Sequence, residues 1–314
     1  MDRHHVRGPL LKAVVAAMLV GMACLGCGES ARNPAAPQLS GPSSTLGHGS
    51  PATPSDQGGG SDCVPARVFD AANFTHSTTV DNGFYPLVPG TEYTLEGRAD
   101  RGGGVLPHTV IFTVTDVVKV IDGVTTVVLW DRDFSENQLV EAELAFHAQD
   151  NEGNVWNLGE YPEQYENGVF TGAPSTWISG VAGAQGGIVI LGNPRLGDKF
   201  LQGSVPDIQF LDCARVLKTG EFTCVPTGCY DNVLVVAERG PLEPGSGTQL
   251  KYYAPGVGNV QIGAVGDKEK ETLVLVSKVR LSAQGLRQAH REALKLDQRA
   301  YSVSDVYRTT APAH

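Results

Sequence analysis

His108-Thr109-Val110-Ile111-Phe112-Thr113-Val114-Thr115-Asp116-Val117-Val118-Lys119-Val120-Ile121-Asp122-Gly123-Val124-Thr125-Thr126-Val127-Val128-Leu129-Trp130-Asp131-Arg132-Asp133-Phe134 decides the fold class. Two runs rich in β-branched residues are joined by Asp122-Gly123, a dipeptide that accepts the positive φ of a tight hairpin turn. An antiparallel hairpin follows.

Further strand-like runs extend from this hairpin in both directions: Tyr93 to Ala99, Leu139 to Gln149, Asn154 to Tyr161, Gly187 to Leu191, Asp198 to Gly203 and Ile208 to Leu217. Asn232 to Arg239, Leu250 to Ala254, Asn259 to Val265 and Thr272 to Leu281 complete the series. Asn151-Glu152-Gly153-Asn154 and Asn167-Gly168 supply further hairpin-grade turns. The expected fold is mainly β, a curved antiparallel sheet of half-barrel or open barrel-like form with a C-terminal α-helix. That helix is expected over about 283–300, with Ser282 as N-cap and Leu286, Ala289, Ala293, Leu296 and Ala300 as a narrow stripe that packs on the sheet.

Three motifs stand out. They are Asp81-Asn82-Gly83-Phe84-Tyr85-Pro86-Leu87-Val88-Pro89-Gly90, Ala148 to Trp156 with its Gly153-Asn154-Val155-Trp156 core, and Lys251-Tyr252-Tyr253-Ala254-Pro255-Gly256-Val257-Gly258. With Gly159-Glu160 and Tyr165-Glu166-Asn167-Gly168 they resemble a family of uncharacterised bacterial secreted proteins and lipoproteins over about Phe69 to Val260. Where that family often has Tyr-Phe after the tryptophan, this chain has Asn157-Leu158. The Tyr252 to Gly258 ending is also similar to the last hairpin of half-barrel envelope lipoproteins, and that resemblance implies a concave face able to hold an apolar ligand.

The N-terminus reads as an export leader. Arg3, Arg7 and Lys12 precede the apolar run Ala13 to Ala23, too short to span a bilayer comfortably. Cys24-Leu25-Gly26-Cys27 resembles a bacterial lipoprotein cleavage site, so residues 1–26 are expected to be removed and Cys27 acylated. Cys24 is the other candidate, and plain secretion the alternative. Acylation of Cys27 leaves Cys63, Cys213, Cys224 and Cys229, an even number suited to an oxidising compartment. Pro226-Thr227-Gly228 forms a tight turn between Cys224 and Cys229 and points to a disulfide there; Cys63 with Cys213 follows by elimination.

Gly28 to Asp62 is almost all Gly, Ser, Pro, Ala and small polar residues, a composition unable to bury enough apolar surface to order itself. These ~35 residues make a tether with a reach of ~30 Å. Residues 63–314 are then a single β-rich domain. Gly28 lacks the Asp that retains some lipoproteins at the inner membrane, which favours the outer membrane. The chain has 24 basic and 34 acidic residues, and removing Arg3, Arg7, Lys12 and Asp2 with the leader leaves 21 against 33. No basic stripe is visible, so a nucleic-acid partner is excluded.

Catalytic signatures are not found: there is no Gly-x-Ser-x-Gly, His-Glu-x-x-His, Ser-x-x-Lys or Gly-x-x-x-x-Gly-Lys. His76, His108 and His147 are too dispersed to specify a metal site. His147 is expected to pack locally in a strand. Asp131 and Asp133 fail the calcium-loop pattern at the following positions and are expected on the solvent face of a strand; Asp150, Glu152 and Asn154 fit a polar hairpin. Of the aromatic residues, Trp156 and Trp177 are the candidates for a ligand groove, because they flank the Gly- and Ala-rich stretch from Gly180 to Gly187. The reading is a noncatalytic envelope lipoprotein that binds an apolar or lipid-like ligand, with no cofactor or metal and no identifiable protein partner. A passive surface or adhesion protein and a secreted hydrolase of unrecognised type are the alternatives.

Cys27→Ala is expected to abolish membrane association while leaving the domain folded, because folding depends on residues beyond the tether. Fractionation with intact-mass analysis checks this. A mutant that still pellets with membranes, beside a wild type without acyl mass, contradicts the anchor.

Overall fold

The computed structural model describes residues 63–100, 104–242, 245, 247–266 and 269–314; the leader, Cys27 and the tether lie outside the described residues. The strands are β1 (Thr91–Asp100), β2 (Val105–Ile121), β3 (Val124–Ser135), β4 (Gln138–Gln149), β5 (Val155–Glu166), β6 (Val169–Gly172) and β7 (Trp177–Ile178). They continue as β8 (Gln185–Ile190), β9 (Lys199–Val205), β10 (Phe210–Val225), β11 (Gly228–Arg239), β12 (Thr248–Ala254), β13 (Gly258–Val265) and β14 (Thr272–Arg280), followed by α1 (Ala283–Val303).

The expected curved antiparallel sheet with a C-terminal helix is present, and its curvature runs to closure. The strand order β4-β3-β2-β1-β14-β13-β12-β11-β10-β9-β8-β5 returns to its start through β4–β5 pairing, giving a twelve-stranded antiparallel barrel. Closure removes the free edges that an open sheet would expose. β6 and β7 are additional partners of β5 outside the ring. The runs read as strands are the barrel strands, and the two short elements that the sequence did not reveal are these off-ring pieces.

Local chemistry sets the turns. Asp122 and Gly123 have φ of 50° and 80°, and Asn167 and Gly168 have 51° and 77°, the left-handed pairs of tight hairpins. The β10–β11 hairpin is longer than its apolar alternation indicated, and its tip is stapled by the Cys224–Cys229 disulfide. A second disulfide, Cys63–Cys213, ties the start of the domain to the wall.

The three sequence motifs converge at one end of the barrel. Asn82 is the hub of this cap. Its carbonyl oxygen accepts from the backbone N–H of Phe84 and Tyr85, and its amide donates to the carbonyls of Gly153 (2.7 Å) and Leu191 (3.1 Å). Asp150 organises the next motif, accepting from Glu152 N, Asn154 N, Asn154 Nδ2 and Trp156 Nε1. The third motif joins through the Gly256 N–H donating to Gly83 O at 2.7 Å. This network inserts Tyr85 and Leu87 into the barrel as a plug.

Helix α1 covers the outside of the barrel, against β2, β3 and β4. Ser282 caps it by accepting from Gly285 N, and Ala289, Ala293, Leu296 and Ala300 are buried beneath it. The apolar stripe was legible; the buried charge beside it was not. Lys119 of β2, fully buried, donates to Asp297 (2.9 Å), Tyr301 Oη (2.9 Å) and the Ala311 carbonyl (2.7 Å), and lies 4.3 Å from the Tyr307 ring centroid. Asp297 also accepts from Tyr307 Oη. Arg299 reaches Glu163 of β5 at 2.6 Å, where Tyr161 and Tyr165 also donate.

Asp297→Ala leaves the Lys119 ammonium buried without its counter-charge and is expected to cost about 3–5 kcal/mol. Urea unfolding of wild type, Asp297→Ala and the Lys119→Met/Asp297→Leu double variant checks this. The double variant should recover much of the loss; a single-variant cost below about 1 kcal/mol would show that the pair is not buried in solution.

Candidate functional site

Strand alternation gives the barrel two different interior arcs. β1, β2 and β13 turn apolar side chains inward, including Tyr93, Leu95, Phe112, Val114 and Ile262. β3, β4 and β5 turn in Asp131, Glu141, Glu143 and Glu160. Between the arcs the interior keeps a cavity of about 150 Å³, lined also by His147, Ser175, Asp212, Glu238, Lys251 and the plug residue Tyr85.

Asp131 and Asp133 therefore correct the sequence-based expectation, since both face inward. β4 shows the physical reason. Leu144 and Phe146 lie on the outer face, Phe146 against Tyr307, while Glu143, Ala145 and His147 line the cavity. Alternation separates two faces but does not say which one a covering helix will bury. Register then places Asp131 opposite Glu143, and Ala145 opposite Glu160, so the acids of three strands share one patch.

Their environment opposes ionisation. Burial, with the neighbouring Asp133, holds the Asp131 carboxyl well above the ordinary carboxylate range. Burial and the charges of Glu160, Glu141 and Asp131 do the same to Glu143. Burial pushes Glu160 up to about 7, against hydrogen bonds from Trp177 Nε1 and Asn157 Nδ2 that favour the anion. For Lys251, burial alone would lower the ammonium; Glu238, 2.6 Å away, outweighs it, and the net shift is upward.

The histidines divide three ways. His76 is exposed. His108 sits buried between Asp133 (3.2 Å) and Glu271 (2.9 Å). His147 packs on Tyr85 with ring centroids 5.7 Å apart; burial, with the charge of Lys251, lowers it to about 3, so its imidazole is neutral at pH 7. Among the described residues its Nδ1 has no hydrogen-bond partner, and neither does Ser175 Oγ or Asp131 Oδ1.

Neither candidate tryptophan lines this cavity. Trp156 belongs to the cap, with its indole N–H on Asp150 and its ring edge-on to Phe69 and Phe74. Trp177, paired opposite Glu160 and so on the same face of the sheet, stacks on Phe210 and donates to Glu160 at 3.0 Å, one layer back from the cavity lining. Its other surroundings form a separate surface groove of about 330 Å³ beside the end of α1. Glycine spacing had suggested room near these residues, but the room inside the barrel comes from the strand count.

No protein-family model matches the chain, and no curated protein matches it. Two solved structures are similar at low level. A Bacteroides fragilis protein described as exported and as having a YmcC-like fold shares 14% identity over 62% of this chain and 98% of its own, with a TM-score of 0.36. A protein of Parabacteroides distasonis described as a lipoprotein shares 17% identity over 63% of this chain and 99% of its own, with a TM-score of 0.35.

The carboxyl of Glu143 titrates higher in the folded chain than in the unfolded one. Its contribution to stability is therefore complete at acid pH and is lost as pH rises above the ordinary carboxylate range. Glu143→Gln, an isostere of the protonated acid, is expected to match wild type at pH 4 and to raise Tm at pH 8 by more than about 3 °C, the scale of roughly 1 kcal/mol for a domain of this size. Thermal melts across pH measure this; equal Tm values at pH 8 would mean that Glu143 is solvated.

Proposed function

We propose that this chain is a noncatalytic envelope lipoprotein whose barrel binds a small amphipathic molecule. The carrying observation is the interior itself: a cavity of about 150 Å³ with one apolar and one acidic arc, containing buried polar atoms that no group among the described residues satisfies. Such groups are costly to keep. A ligand that completes them gives the arrangement a use, and stability sacrificed at a site is a common companion of function.

Size shapes the proposal. Drug-sized ligands occupy pockets of ~300–1,000 Å³, whereas a cavity of about 150 Å³ holds a single benzene-sized ring. The occupant is therefore a compact molecule rather than an extended lipid-like one. A passive adhesion module would have no use for an interior of this kind.

Localisation at the outer membrane through acylated Cys27, with residues 28–62 as tether, belongs to the same proposal. Its support is the leader pattern and the cysteine pairing. The Cys63–Cys213 and Cys224–Cys229 disulfides suit an oxidising compartment.

Mass spectrometry of small molecules released by denaturing the purified protein tests the reading. Wild type should release a compact species that is missing from Ala145→Phe, a variant whose added ring fills the cavity. Identical release from both proteins, or none from either, would contradict it.

A further inference from the structure

Resting on the reading of the barrel interior as a ligand site, we infer that the cavity selects a small organic ammonium ion with an apolar body. Three features carry this inference: charge, unsatisfied acceptors and aromatic faces.

The first is charge balance within the wall. Among the described residues that line the cavity, the carboxyl groups of Asp131, Glu143, Glu160 and Glu238 face one ammonium, that of Lys251. Lys251 is held by Glu238 at 2.6 Å. An anionic ligand would have to take Lys251 from Glu238 while facing Asp131 and Glu143, so like-charge repulsion opposes it. A cation entering beside Asp131 and Glu143 favours the ionised form that burial and their placement opposite each other otherwise disfavour.

The second feature is independent of the acids. Two polar side chains of the wall, each more than nine-tenths buried, have an atom without a partner among the described residues: His147 Nδ1 and Ser175 Oγ, at 6% and 3% exposure. The imidazole is neutral at pH 7, so with its proton on Nε2 the Nδ1 atom is an acceptor, and the hydroxyl can accept as well. An ammonium N–H donates to such atoms, whereas a hydrocarbon would leave them unsatisfied.

Aromatic rings complete the description. Tyr85 touches His147 and stands edge-on to Tyr253, with centroids 6.0 Å apart, and both tyrosines line the cavity. Ring faces attract organic cations, and the apolar arc accommodates the rest of the molecule. A bare metal ion fits less well, since among the described residues no three His, Cys, Asp or Glu side chains form a group able to hold one.

Calorimetry on the full-length protein with benzylamine, its neutral analogue benzyl alcohol, benzoate and calcium chloride at matched ionic strength tests the inference at pH 7.5. Benzylamine should bind about tenfold more tightly than benzyl alcohol, the scale of one charge-assisted hydrogen bond, and benzoate and calcium should not bind. Glu143→Gln should weaken benzylamine about tenfold and leave benzyl alcohol unchanged, a split that a general loss of structure would not produce. Equal binding of benzylamine and benzyl alcohol would overturn the ammonium selectivity while leaving the cavity reading standing. Preference for benzoate or calcium would overturn the selectivity in favour of an anion or metal. No binding by any of the four would remove both readings.

Discussion

A ring of twelve strands is wider than its own inward side chains can fill, and the remaining structure follows from that constraint. Eight strands enclose an interior just wide enough for packed side chains or one small ligand, and diameter grows with strand number. The β4–β5 pairing that closes the ring commits the chain to an oversized lumen. The segment before β1 reduces it by plugging one end, where Asn82 ties three distant loops together and delivers Tyr85 and Leu87 into the barrel. The remaining space is the cavity.

Two kinds of buried charge result, with opposite energetic character. Outside the wall, Lys119 and Asp297 are matched to each other and to the tyrosines around them, so the helix and the C-terminal tail lock onto β2. Inside, Asp131, Glu143 and Glu160 are crowded together with little to offset them, and the protein keeps them at a cost in stability above acid pH. The first arrangement belongs to folding. The second is the basis of the proposed site for a cationic molecule.

Much of the fold was legible in the sequence because hairpin turns and β-branched runs are local signals. Asp122-Gly123 and Asn167-Gly168 marked their turns, and the run boundaries located the ring strands. The site was not legible, for a specific reason. Along β4 the acidic and apolar residues alternate cleanly, but the apolar face lies under the helix and the acidic one faces the lumen, the reverse of a sheet with a dry inside. No local pattern in Asp131-Arg132-Asp133 distinguishes these cases, since the answer depends on what covers the other face. Size and neighbouring glycines mark burial, which both tryptophans have; neither lines the barrel cavity, and Trp177 borders the separate groove beside the end of α1. Asp297, one position from Leu296 on the helix stripe, was the one local hint of a buried partner for Lys119.

Site-resolved NMR titration of the side-chain carboxyl and imidazole groups tests the account most directly. It predicts that Asp131 and Glu143 titrate well above ordinary carboxyls, that His147 stays neutral until about pH 3, and that an added organic ammonium ion moves both carboxyl midpoints downward. Ordinary midpoints for all three groups, unmoved by the cation, would contradict a buried acidic cavity in the barrel.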